Sequence, residues 1–142
     1  MTPAFCLRQF LINTEVVSEA GEWPAYVAFF PPDSVRTVSL YDTEGILHMR
    51  SHRTMKRPEH FGFQLLVRCD DYLHLFAKVR AIADAFDNAY NTTFVMLHEE
   101  VTYDVSIHTI TRTSPPIPLG VEETSKRTHQ VTLNGLVLLQ ID

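Results

Sequence analysis

The chain has 142 residues, 45% of them hydrophobic and 20% charged. That suits one domain of ordinary size, roughly 100 to 150 residues, and excludes disorder throughout. Seventeen acids against twelve bases leave a formal charge of -5, which argues against a surface that grips nucleic-acid phosphates on every side.

Thr2-Pro3 predicts a helix start, because a threonine oxygen can cap free N–H groups and proline at the first helical position gives up no needed bond. A short helix over residues 2–12 is expected. Trp23 to Phe30 is rich in aromatic and branched residues and predicts a strand that Pro31-Pro32-Asp33 ends. Thr37 to Asp42 predicts a second strand, with Val38 and Leu40 on one face, stopped by Glu44-Gly45. Residues 46–60 are polar and irregular, an arm or long loop of the kind that serves contacts outside a domain. Phe61, Phe63, Leu65 and Val67 then alternate as a third strand, antiparallel to the second.

Asp70-Asp71 offers capping carboxylates for the main amphipathic helix, residues 71–88. Tyr72, Leu75, Phe76, Val79, Ile82, Ala83, Phe86 and Tyr90 recur on one face at helical spacing. Phe94–His98, Val101–Ile107 and Val131–Ile141 read as three further strands. Thr113 to Thr128, with Pro115, Pro116, Pro118 and Gly120, reads as too polar and proline-rich for a core. The expectation is a single domain over 1–142 with an α+β fold: a largely antiparallel or mixed sheet of about six strands packed on the main helix, with a long hairpin arm or loop.

Catalytic and nucleotide signatures are absent: no G-x-S-x-G, P-loop or G-x-G-x-x-G occurs, and the chain has only five glycines. No enzyme activity, cofactor or metal is expected. His98-Glu99-Glu100 begins like H-E-x-x-H, but position 102 is threonine. His48, His52 and His60 are close in sequence, yet Arg50, Arg53, Lys56 and Arg57 among them would oppose a cation. Asp70-Asp71 is explained by capping rather than acid–base chemistry. Cys69 lies beside two carboxylates that disfavour its thiolate, and it and Cys6 fit no metal-ligand spacing, so both read as buried thiols of a reducing compartment. The start lacks a basic stretch and its apolar run is broken by Arg8 and Gln9, so no signal peptide is expected. Nothing reaches the ~18 apolar residues of a membrane span, and no membrane association is expected.

Folding alone accounts least for the segment from His48 to Pro58, in which four of the twelve bases fall without one acid. It reads either as a solvated loop or as a basic arm that docks on an acidic partner, a neighbouring subunit or DNA. Aromatic residues do not interleave its charges, which disfavours a base-stacking platform.

The order of these pieces resembles the minor capsid or tail-terminator proteins of long-tailed bacteriophages. The resemblance rests on WPAYVAFFPPD, VSLYDTEG, FGFQLLVRCDDY and PPIPLGVEETSKRTHQVTLNGLVLL, and covers about residues 23–141. Tyr41, Asp42 and Gly45 match a strand-turn element; Arg68, Asp71 and Tyr72 a strand-to-helix element; Pro118, Gly120 and Arg127 the loop before the last strand. The resemblance implies a virion neck protein made in the host bacterial cytoplasm. It would be a ring, often sixfold and so a hexamer, that ends tail-tube polymerisation and joins tail to head. Its partners would be itself, the tail tube protein and a head-completion or connector protein, with DNA only passing through the lumen. Arg50, Arg53, Lys56 and Arg57, with Glu122 and Glu123 as their acidic counterparts, are the candidate assembly interface. The alternatives are a head–tail adaptor or minor capsid protein and, in another class, a small metal- or nucleic-acid-binding module.

Overall fold

The computed structural model of the chain describes residues 2–19, 21–29, 31, 35–43, 59–122 and 128–141. The first helix, α1 (Pro3–Asn13), begins where the Thr-Pro pair predicts, but Thr2 does not cap it. The Thr2 hydroxyl is buried without a partner. The carboxylate of Asp42, distant in sequence, instead accepts the Ala4 backbone N–H at 2.9 Å. Ala4, Cys6, Leu7, Phe10 and Leu11 form the helix's buried stripe.

The strand expected over Trp23–Phe30 shrinks to β1 (Ala25–Val27). Trp23 (φ 57°) and Ala28 (φ 54°), both left-handed, stop it at either end. Trp23 is buried instead, with the Lys78 ammonium 5.2 Å from its ring centre. β1 pairs in parallel with β2 (Thr37–Thr43). β2 runs antiparallel to β3 (Glu59–Cys69), with Val38 opposite Val67 and Leu40 opposite Leu65.

The main helix, α2 (Tyr72–Asp87), is capped by Asp71, whose Oδ1 accepts from Leu73 N at 2.9 Å and His74 N at 3.4 Å. Leu75, Val79, Ile82, Ala83 and Phe86 are its buried face. Three residues assigned to that stripe from periodicity lie elsewhere. Tyr72 and Phe76 stay about half exposed on the helix shoulder, and Tyr90 begins the next strand.

β4 (Tyr90–His98) and β5 (Val101–Arg112) form a hairpin, and β5 carries a bulge between Ile107 and Thr109. A seventh strand, β6 (Ile117–Glu122), lies in the segment expected to be loop. Proline at 118 is tolerated because, among the described residues, β6 pairs on one side only, with β7 (Thr128–Ile141). The sheet order is β1-β2-β3-β7-β5-β4. β7 pairs with β3 on one flank; on the other it pairs with β5 over Gly135–Ile141 and with β6 over Thr128–Thr132. The fold is α+β with a largely antiparallel sheet, of seven strands among the described residues rather than about six.

Both helices sit on one face of this sheet. Phe10, Phe63 and Phe86 join the layers: Phe86 stacks 6.4 Å from Phe10 and meets Phe63 edge-on at 5.2 Å. Gly135, opposite Phe63 in the β3–β7 register, leaves room for that ring. A Cβ there would stand 2.6 Å from Phe63 Cζ and 2.7 Å from Thr111 O. The far end of the sheet bends back to α1, where Phe5 lies 4.3 Å from the His98 ring centre. On the opposite face of the sheet, Arg68 is 2% exposed and donates to Pro31 O at 2.8 Å, which ties Pro31 to β3.

Candidate functional site

Of the candidate interface residues, Arg50, Arg53, Lys56, Arg57 and Glu123 lie outside the described residues. So do His48 and His52. Glu122 ends β6 opposite Thr128, in backbone register only. His60 is a partly buried β3 residue paired with Leu138.

The acids before α2 separate by role. Asp71 caps the helix and also lies 3.3 Å from His74 Nδ1. Asp70 pairs with Arg36 Nε at 3.4 Å. Its slight desolvation opposes ionisation, but hydrogen bonds from the Cys69 thiol and Arg36 outweigh that and lower its carboxyl below the ordinary range. Burial pushes the Cys69 thiol up despite the Asp71 backbone N–H it accepts, and Asp70 adds to the rise. Burial likewise pushes Cys6 up to about 12. Neither thiol is built as a nucleophile.

His98-Glu99-Glu100 forms the tip of the β4–β5 hairpin. Glu99 (φ 49°) and Glu100 (φ 65°) occupy the two left-handed positions of a type I′ turn, where Asn-Gly is usual. His98 packs on Phe5. Among the described residues no group of three or more His, Cys, Asp or Glu side chains is placed to hold a metal ion.

An open groove of about 600 Å³ is lined by Asp87 and residues 110–115. Its only charged groups satisfy each other: Arg112 donates to Asp87 through Nε at 2.9 Å and Nη2 at 2.8 Å. These bonds hold the Asp87 carboxyl below its ordinary range. A groove whose charges are mutually neutralised offers no acid, base or anion site.

The features that sequence reasoning missed are apolar surfaces. Among the described residues β4 is the last strand of the sheet. Its inward residue Met96 is buried, whereas Val95 and Leu97, on the face away from the helices, are 63% and 70% exposed. On α2, Leu73 is 77% exposed, beside the Tyr72–Phe76 ring pair at 5.0 Å. β6 adds exposed Ile117 and Leu119. The signal in the sequence was the run Phe94-Val-Met-Leu97, apolar on both faces of a strand; a half-buried strand would alternate. Large apolar side chains left in water at a strand edge mark a contact surface.

No family model matches the chain, and no curated protein matches it. A solved structure known only by a sequence number is 18% identical, with a TM-score of 0.46, and the alignment covers 98% of this chain and 91% of that one. At that level nothing passes from that structure to this chain. No helix among the described residues is long and apolar enough to cross a membrane.

Proposed function

We propose that this chain is a structural protein of the neck of a long-tailed bacteriophage, a tail terminator that assembles as a ring at the head-proximal end of the tail tube. The single observation that carries an assembly role is the exposed β4 edge with Val95 and Leu97 in water. An uncovered strand edge with apolar side chains is a liability that proteins usually blunt or bury. The resemblance in the order of motifs supplies the phage setting, and the ring is the closed form that copies of one subunit take when each repeats the same contact.

The mechanism is geometric. One face of the ring matches the last layer of tube protein, and the other face does not repeat it, so no further layer is templated. That second face meets a head-completion or connector protein. A head–tail adaptor uses the same ring one position nearer the head. Arg50, Arg53, Lys56 and Arg57 are assigned to contacts with neighbouring acids, among them Glu122 and Glu123.

Electron microscopy of the purified protein, together with the copy number in complexes extracted from virions, tests the reading. Rings, and several copies per particle at the tail–head junction, are expected. One copy per particle, or absence from the neck, would end it.

A further inference from the structure

We infer that the ring contact is made by the outer face of the β4–β5 hairpin of one subunit seated on the exposed face of α2 in the next, an inference that rests on the ring reading above. The helices cover one face of the sheet, and Val95 and Leu97 project from the other. The two surfaces are therefore different patches of one subunit. Such a pair makes a head-to-tail contact, which repeats from copy to copy and closes if the rotation permits.

Both surfaces are apolar at the centre: Leu73 and Phe76 on the helix, Val95 and Leu97 on the hairpin, all at least 46% exposed. Their charges are complementary. Residues 90–111 hold Glu99, Glu100 and Asp104 and not one lysine or arginine. Asp104 stands directly opposite Val95 in the β4–β5 register, on the same outer face. From Tyr72 to Ala83, α2 holds Lys78 and Arg80 and no acid. Lys78 is engaged with Val16 O at 2.7 Å, whereas Arg80 is exposed, with no hydrogen bond or ion pair among the described residues.

None of the nearby acids is ion-paired with Arg80 among the described residues. Asp70 is paired with Arg36, Asp71 caps the helix and Asp87 is paired with Arg112; Asp84, one turn beyond Arg80, is exposed and makes no ion pair with it among the described residues. An apolar centre with a free base on one side and three acids on the other is the arrangement that fixes register between partners. A second copy of this chain supplies both halves.

The test uses the full chain. Leu73→Cys and Leu97→Cys are combined and treated with a short bis-maleimide; the native Cys6 and Cys69 are buried and remain silent. A ladder extending beyond dimer is expected, because a head-to-tail contact leaves a reactive pair at each end. Either single variant yields no ladder, and a product that stops at dimer overturns the inference. In parallel, Arg80→Glu or Asp104→Arg alone should weaken self-association by at least about tenfold, and the two together should restore it. If rings form but the combined variant is no better than either single one, this interface is wrong and the ring reading stands. If rings form through this interface yet are absent from tails, the contact stands and the neck reading falls. A chain that never self-associates overturns both.

Discussion

Replacing Gly135 with alanine sets two principles against each other. Alanine restricts the unfolded chain and suits a strand better than glycine, which alone would stabilise by about 0.4–1 kcal/mol. The structure opposes this, because the new Cβ would meet Phe63 Cζ at 2.6 Å and Thr111 O at 2.7 Å. Neither obstacle can give way. The Phe63 ring is 1% exposed and backed by Phe86 at 5.2 Å, and Thr111 is a backbone partner of Leu136 in the β5–β7 ladder. Overpacking of a filled core costs about 1–3 kcal/mol, and two rigid obstacles place this site at the upper end. The net expectation is a loss of about 2 kcal/mol, which for a chain of this size lowers Tm by roughly 6–8 °C. Urea unfolding and calorimetry read it directly. Adding Phe63→Leu should make the double variant less destabilised than the sum of the singles, since the shorter side chain leaves space for the methyl group. A Gly135→Ala protein as stable as the parent would refute the steric account and show that the ring has room to move.

Ile82→Ala or Phe86→Ala should cost roughly 2–5 kcal/mol by opening a cavity, both side chains being fully buried; a normal Tm with lost assembly would make that stripe an interface. Asp42→Ala should cost about 1 kcal/mol through the lost α1 cap while Thr2→Ala is nearly silent in the same urea titration, and the reverse ranking would contradict the cap geometry. Asp87 has its carboxyl lowered by Arg112, so the pair stabilises the fold above the ordinary aspartate value of 3.8 and the gain fades as pH falls through the depressed folded value. Because both groups are partly exposed, Asp87→Asn should lose at most about 1 kcal/mol near neutrality, and a difference in urea midpoint that persists unchanged into acid would count against it. Glu99→Asn with Glu100→Gly relieves two left-handed glutamates and should raise stability by about 1–2 kcal/mol while weakening self-association; a gain in both would sever the turn's charge from assembly.

The sequence was informative where burial on one side imposes a period. Leu75, Val79, Ile82 and Phe86 recur every three or four residues because the sheet covers them, so α2 was legible almost to its ends. The same spacing drew in Tyr72 and Phe76, since periodicity reports a face but not whether anything lies over it. β6 was illegible because Pro118 and Gly120 break alternation, and an edge strand exposed on both faces has no buried side to enforce it. Trp23 and Ala28 were misread as strand because aromatic and small residues carry no mark of a left-handed backbone. The apolar outer face of β4 was present as Phe94-Val-Met-Leu97, yet it was visible as surface only once Met96 was known to be the inward member. The basic cluster from Arg50 to Arg57 lies outside the described residues, so the first candidate site rests on charge pattern alone.

The capping of α1 by Asp42 bears on the order in which the molecule is made. At 11 residues, α1 is shorter than the ~12–15 residues at which isolated helices become marginal in water, and no side chain of its own closes its first turn. The acceptor that closes it is synthesised 38 residues after Ala4. That acceptor stands on β2 opposite Phe63 of β3, a long-range pairing that fixes its position. Although α1 precedes both strands in the chain, it is therefore expected to be fixed after them, and pulse-labelled hydrogen exchange during refolding should protect the β2–β3 amides before those of α1.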